Sequence, residues 1–366
     1  MTFPDDDPSA SRDRRLDRYG AVAASLALRS DRQLSELLEQ APVIGSGIGG
    51  TSRLLLVDST PVFVKSVPLT DLERRPEHVM STANLFDLPV SCQYGVGSPS
   101  FGVWRELAAH VMTTSWVLGG RTETFPLLYH WRVLPGPAFV GPLCDELADV
   151  ERAVAYWHGS AAVRRRIEGI AQSSATVTLF LEYLPTVLPT WLEEQAAAGD
   201  DAVGAAIAMV EQRLRHDVVC MNAAGLFHFD AHFGNILTDG RRLFFADFGL
   251  ATSPRFDLSA AESSFLTANR THDACHTITR LVDWLVTHLA GVPDWNDRDE
   301  FVRQCAGGHD PAGLPPAAAA VVTRYAPIAV VVNDFYRRLH LEDRRSPYPV
   351  DEIERACVAS GFDPRA

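Results

Sequence analysis

The sequence predicts a mixed α+β chain with a β-rich first half joined by tight turns and a mainly helical second half. Three stretches carry this reading. Residues 43–65 alternate short apolar runs with turn residues, including Ser46-Gly-Ile-Gly-Gly50 and Asp58-Ser59, as antiparallel strands require. Residues 202–224 place Ala206, Met209, Val210, Leu214, Val218 and Met221 at three-to-four spacing, the core face of a long helix. Residues 226–251 read as a polar loop followed by two short apolar runs about Asp239-Gly240, a two-residue hairpin turn.

Taken in order, residues 1–18 are acidic, then basic, and poor in apolar groups, which predicts a disordered tail. Leu26, Leu28, Leu34, Leu37 and Leu38 then predict one or two short helices, so residues 1–40 form an N-terminal extension. Strands are expected at 42–45, 53–57 and 62–65, the last ending in Lys65. Residues 101–112 pattern as an amphipathic helix, 125–133 as a strand, and 142–170 as a charged helical insertion. Residues 176–184 are rich in β-branched and aromatic side chains and end at Pro185, which closes a strand and a first domain over 41–184. The remainder, 185–366, reads as helical around the central loop, with helices at 188–198, 202–224, 267–290, 295–307, 316–340 and 351–359. Gly225 supplies the C-cap of the long helix.

Composition narrows the function classes. The chain has 366 residues and a formal charge of −13, which disfavours a nucleic-acid partner because phosphate binding rewards Lys and Arg. The short arginine runs at 164–166, 337–338 and 344–345 read as solvated helix faces. Six scattered cysteines without a Cys-x-x-Cys pair suit a reducing cytoplasm. No secretory signal is evident at the first residues, and the most apolar stretch, 317–332, is broken by Thr323, Arg324 and Pro327, so no membrane span is expected.

The chemistry concentrates in the central stretch. Folding its hairpin brings Asn235 and Asp247 to the open end, with Asp230 on the preceding loop. Two carboxylates and an amide converging there suit a hard, oxygen-seeking cation such as Mg²⁺. His228, Asp230 and His232 admit another reading, a zinc site, because alternate positions on a strand share a face. Upstream, Gly45, Gly47 and Gly50 fit G-x-G-x-x-G, either as a plain glycine-rich hairpin turn or as a loop whose backbone N–H groups approach phosphate oxygens.

His228-x-Asp230, Asn235 and Asp247-Phe-Gly249 in this order, after the glycine loop and Lys65, resemble the protein-kinase-like superfamily over roughly residues 43–289. The resemblance implies a two-lobed fold, with an antiparallel β-sheet N-lobe and a mainly helical C-lobe, that uses ATP and Mg²⁺. It implies that Asp230 orients and deprotonates a hydroxyl acceptor, that Asn235 and Asp247 hold the metal, and that Lys65 neutralises phosphate. His228 would tie the catalytic loop to the Asp247 segment. A glutamate should hold Lys65: Glu106 on the 101–112 helix, with Glu73 and Glu77 as rivals nearer in sequence. Glu106 implies that residues 76–99 are an insertion. Glu182, Tyr183 and Leu184 would be the hinge beside the adenine, or an ordinary strand end. Asp273 would brace the catalytic loop, or simply be an acid at a helix N-terminus.

His232 stands where protein kinases usually carry lysine, and His-x-Asp-x-His-x-x-Asn is similar to aminoglycoside phosphotransferases, choline kinases and atypical relatives. The intact Asp-Phe-Gly instead resembles protein kinases, although no Ala-Pro-Glu follows it. Three functions follow: a kinase for a small-molecule hydroxyl, an atypical protein or peptide Ser/Thr kinase, and a pseudokinase acting as a nucleotide-binding scaffold. The absent Ala-Pro-Glu and the negative charge, suited to a cationic acceptor, favour the first.

Overall fold

A computed structural model describes residues 8–95, 97–139, 144 and 148–365. The chain is α+β and divides into two compact units, Met1–Leu88 with Pro99–Tyr183 and Pro89–Ser98 with Leu184–Ala366.

The first unit is built on a five-stranded antiparallel sheet. Its strands are β1 (Val43–Gly47), β2 (Gly50–Val57), β3 (Thr60–Leu69), β4 (Leu128–Pro135) and β5 (Ala175–Glu182), in the order β1-β2-β3-β5-β4. All eight residues of β5 are buried, so both faces of the sheet are covered at its centre. Helices α1 (Pro8–Ala27) and α2 (Asp31–Gln40) pack on β2 and β4. Helix α3 (Val103–Leu118) packs on β3 and β4, burying Val103, Trp104 and Leu107 against Val67, Leu69, Val177 and Leu179. Helices α4 (Val150–Tyr156) and α5 (Ala161–Ala171) precede β5. Part of the expected 142–170 insertion, residues 142–143 and 145–147, lies outside the described residues.

The disordered tail expected over 1–18 is corrected from residue 8 onward, because α1 begins at Pro8; residues 1–7 lie outside the described residues. Arg15 anchors this helix, with Nη2 2.6 Å from Glu182 Oε2 and Nε 2.9 Å from Oε1. Its guanidinium also donates to the carbonyls of Glu123 and Phe125. A charged, apolar-poor segment thus orders through a buried, multiply bonded ion pair rather than an apolar stripe.

The arginine runs are corrected likewise, since each turns one member inward. Arg166 Nη1 meets Glu73 Oε2 at 2.9 Å with both side chains buried, Arg337 Nη2 meets Asp299 Oδ2 at 2.5 Å, and buried Arg344 donates to the His340 carbonyl.

The second unit is helical apart from one hairpin. It contains α6 (Leu188–Ala198), α7 (Asp200–Ala223), β6 (Ile236–Thr238), β7 (Leu243–Phe245), α8 (Ala260–Ala268), α9 (His272–His288), α10 (Trp295–Ala306), α11 (Pro316–Leu341) and α12 (Val350–Ala359). Helix α9 is buried along most of its length and packs on α7, α10 and α11. By length and composition α11 could cross a membrane, yet it packs on α7, α9, α10 and α12 as a core helix of this unit.

Of the 76–99 segment, residues 89–98 belong to this unit and the rest to the first. Buried Tyr94 packs on Phe265 and Phe335, ring centroids 5.1 and 5.0 Å apart, and its hydroxyl donates to Asn269 Oδ1 at 2.8 Å. Gln93 Nε2 donates to the Leu250 carbonyl.

One buried carboxyl in α7 works against stability. Asp217 is buried, and its Oδ2 has no hydrogen-bond partner. Burial pushes its carboxyl from 3.8 up to about 6, with Arg213 and His216 pulling the other way. A raised folded-state value means that the folded form binds the proton more tightly, so the cost is present above about pH 6 and absent below the unfolded value near 3.8. Asp217→Asn should therefore stabilise the protein by about 2 kcal/mol at pH 8. Urea denaturation should show that gain shrinking as pH falls from 6 and vanishing by about pH 3.

Candidate active site

The residues singled out by sequence divide between the units. In the first, β1 and β2 form a hairpin whose turn is Ile48-Gly49. Gly45 and Gly47 are strand residues paired with Ser52 and Gly50 and carry no left-handed backbone. Gly50 is required by space: its φ is +105°, and a Cβ there would sit 2.0 Å from the Ser66 carbonyl oxygen on β3. Gly49, which the motif reading passed over, is the glycine nearest the lysine; a Cβ there would lie 3.5 Å from Lys65 Nζ. The signal was the Gly49-Gly50 doublet, legible once the turn is placed.

Lys65 is buried at the middle of β3, opposite Leu179 on β5. Its Nζ lies 2.7 Å from Glu106 Oε1 on α3, so Glu106 takes the role its rivals could have held. Glu73 is committed elsewhere: it accepts from the Val103 N–H at the start of α3, from Thr70 and from Arg166. It thereby fixes the helix that carries Glu106. Glu77 is exposed in the 3₁₀ turn Pro76–His78.

Of the three residues expected at the hinge, Glu182 is the last residue of β5. Its N–H donates to the Leu127 carbonyl at 2.8 Å and its carboxylate is bound by Arg15, so both groups are used inside the first unit. Tyr183 and Leu184 are half-buried residues outside regular structure, and the division between units falls between them.

In the second unit the hairpin forms with Ile236 opposite Phe245 and Thr238 opposite Leu243. The connection is four residues, not two, because Asp239 Oδ1 accepts from the N–H groups of Arg241 and Arg242 and builds a wider Asx-type turn. At the open end the Ala246 N–H donates to the Asn235 carbonyl at 2.9 Å, which brings Asp247 alongside Asn235.

The loop before the hairpin is held from below by buried Asp273. Its Oδ2 accepts from His228 N at 2.7 Å and from Asn222 Nδ2 at 2.9 Å, and its Oδ1 accepts from Phe229 N at 2.8 Å. Burial alone would raise this carboxyl, but its hydrogen bonds and the nearby histidines hold it below the ordinary range. Phe229 and Asp247 both adopt left-handed backbone, with φ of +60° and +61°. Two such non-glycine residues in so short a stretch store strain that the surrounding bonds must offset, a pattern concentrated at functional loops.

His228 is fully buried, and both its ring nitrogens are used: Nδ1 accepts from Asp230 N, so Nε2 carries the proton and donates to the Ala246 carbonyl at 3.0 Å. This ties the Asp230 loop to the strand before Asp247 and leaves no nitrogen for zinc. Among the described residues no group of three or more His, Cys, Asp or Glu side chains is arranged to hold a metal ion. A Mg²⁺ ion needs less, because it keeps waters and takes one or two carboxylates plus substrate phosphates. Exposed Asp247 and the amide oxygen of Asn235 fit that donor set. The NH₂ group of Asn235 is spent on Asp230, at 2.9 Å from its carbonyl and 3.2 Å from Oδ2.

Asp230 is half-buried, and burial pushes its carboxyl up to about 6, with the charge of Asp247 adding and His228 and Asn235 opposing. Gly95 lies hard against it: a Cβ there would sit 2.8 Å from Asp230 Oδ1. His232 is exposed, with Nδ1 accepting from Gly234 N at 3.1 Å, which shapes the turn into Asn235. A cavity of about 700 Å³ opens in this unit beside Asp230 and His232, walled by Tyr94, Trp295, Tyr336 and Arg337 among others. None of these was read from sequence as a site residue, Arg337 appearing only in an arginine run, since no motif marks them and they come from three separate segments. No family model matches this chain, and no curated protein matches it.

Proposed function

We propose that the protein is a phosphotransferase of the protein-kinase-like type, two-lobed, moving the γ-phosphate of ATP to the hydroxyl of a small molecule in the cytoplasm. The observation that carries this reading is Asp230, presented on a strained loop that Asp273 braces at two successive amides and facing a cavity of about 700 Å³. That volume is typical of small-molecule sites, which favours a small acceptor over a protein or peptide. The intact Lys65–Glu106 pair favours an active enzyme over a pseudokinase scaffold.

In this mechanism Lys65 and the Gly49-Gly50 turn serve the phosphates, and Glu106 sets the position of the lysine ammonium. Asn235 and Asp247 hold Mg²⁺, which when bound neutralises phosphate charge. Asp230 accepts a hydrogen bond from the acceptor hydroxyl, orients it, and takes its proton as the new P–O bond forms. His228 keeps the Asp230 loop in register with the Asp247 strand, and His232 shapes the turn between Asp230 and Asn235.

The test is calorimetric titration of the whole chain with ATP. Binding should require Mg²⁺, weaken about tenfold or more in Asp247→Ala, and weaken similarly in Lys65→Met, about the loss of one charge-assisted contact. Unchanged affinity in both variants would contradict the assignment.

A further inference from the structure

The wall of this cavity away from Asp230 has a charge of its own, opposite in sign to that of the whole chain. Its walls carry three guanidinium groups, Arg280 of α9, Arg298 of α10 and Arg337 of α11. Beyond Asp230, the only carboxylate lining it among the described residues is Asp299, which Arg337 already holds at 2.5 Å. Behind the wall, buried Asp283 is shared by two of the arginines, 3.1 Å from Arg280 Nη2 and 3.5 Å from Arg298 Nε. Three cations are thus met by two carboxylates, leaving one net positive charge on the wall away from Asp230.

Donor capacity points the same way. Each guanidinium has five N–H groups; Arg280 spends Nη2 on Asn333 and Arg337 spends Nη1 and Nη2 on Asn296 and Asp299, which leaves Arg280 Nη1 and both Nη groups of Arg298 without a hydrogen-bond partner among the described residues. Nearby imidazoles register the positive field: His276 and His340 are both held below their ordinary values, first by burial and then by the charges of neighbouring groups that include Arg280. Aromatic surface is present as well, with Arg337 stacked 4.3 Å from the Trp295 ring and Arg280 5.9 Å from that of Tyr336.

We propose that the acceptor is an alcohol bearing an anionic oxyacid group, a carboxylate or a phosphate monoester, seated with its anion on Arg280, Arg298 and Arg337 and its hydroxyl toward Asp230. This rests on the phosphotransferase reading and reverses the expectation of a cationic acceptor drawn from the overall charge of −13. In the transfer, the acceptor oxygen bonds to the γ-phosphorus as the bond to the bridging oxygen breaks. ADP leaves with that electron pair, and the hydroxyl proton passes to Asp230 and then to water. Guanidinium groups in fixed positions recognise carboxylate and phosphate oxygens in two-pronged fashion, whereas an ammonium group seated on this wall would have to displace Asp299 from Arg337.

The test has a binding arm and a transfer arm, both on the full chain. In the first, inorganic phosphate and citrate are titrated calorimetrically into wild type, Arg298→Gln, Arg298→Lys, Arg337→Gln and Arg32→Gln. Saturable binding should weaken about 10- to 100-fold in the glutamine variants of Arg298 and Arg337, be partly rescued in Arg298→Lys, and be unchanged in Arg32→Gln, which removes an exposed arginine of α2. Melting temperatures report whether each variant is folded. Binding that is absent in wild type, or insensitive to Arg298 and Arg337, would overturn the proposal.

In the second arm, ATP and Mg²⁺ are supplied with glycerate and glycerol 3-phosphate, or with glycerol and 2-amino-1,3-propanediol. Transfer to the anionic alcohols in preference to the others supports the proposal. Transfer to the amine alone overturns it while leaving the phosphotransferase reading intact. A failure of ATP itself to bind removes the underlying reading instead.

Discussion

Replacing Asp230 with asparagine should lower turnover by about 10²–10⁴-fold, the usual worth of a positioned proton acceptor, while leaving MgATP affinity within a few-fold. Asparagine preserves the shape of the side chain, which matters because Gly95 packs against Asp230 Oδ1 and Asn235 Nδ2 reaches Oδ2 at 3.2 Å. An amide oxygen can still accept from Asn235, so the loop should stay in place. What is lost is the capacity to take the acceptor's proton. Steady-state rates with saturating ATP, paired with nucleotide titrations, separate the two effects. Equal losses of turnover and of ATP affinity would mean that Asp230 supports the nucleotide rather than the acceptor.

The second large effect is expected at Asp273, where stability and activity should fall together. One carboxylate there accepts from two successive backbone N–H groups and from the Asn222 amide, all in the interior. Asp273→Ala strands these donors, and breaking a buried charged network in this way costs about 3–5 kcal/mol. The loop it releases includes Phe229 at φ +60°, which relaxes once its amide is no longer held. Turnover should therefore drop even in the fraction that remains folded. A folded-state carboxyl held below its ordinary range contributes stability above the unfolded value and loses it as pH falls through the folded one. The gap between wild type and Asp273→Ala should accordingly persist from about pH 5 to 8 and narrow only in stronger acid. Urea denaturation across that range checks both statements, and a loss under about 1 kcal/mol would show the brace to be dispensable.

What could be read in the sequence was chemistry with local spacing. The Asp230, Asn235 and Asp247 arrangement is set by a hairpin a few residues long, and Lys65 sits on a strand whose apolar run is plain. Glu106 was legible through helix periodicity, but choosing it over Glu73 required the long-range fact that Glu73 pairs with Arg166, 93 positions away. The same limit explains the errors. Arg15 looks like part of a charged tail until Glu182, 167 positions on, is placed against it. Arg337 looks solvated until Asp299 of another helix is seen beside it. Asp239-Gly240 suggested a tight turn because the pair is common there, and the Asp239 side chain diverted it by binding two further amides. The cavity was invisible because its walls come from α9, α10, α11 and the Tyr94 segment, which no single pattern links.

The central claim is transfer of the ATP γ-phosphate to an acceptor hydroxyl, and the most direct measurement follows γ-labelled ATP with Mg²⁺ and the anionic alcohols. The account predicts label in a new phosphate monoester formed in step with ADP, abolished by omitting Mg²⁺ and nearly lost in Asp230→Asn. ATP bound with its label never leaving it as a monoester, or label transferred equally well by Asp230→Asn, would contradict the account.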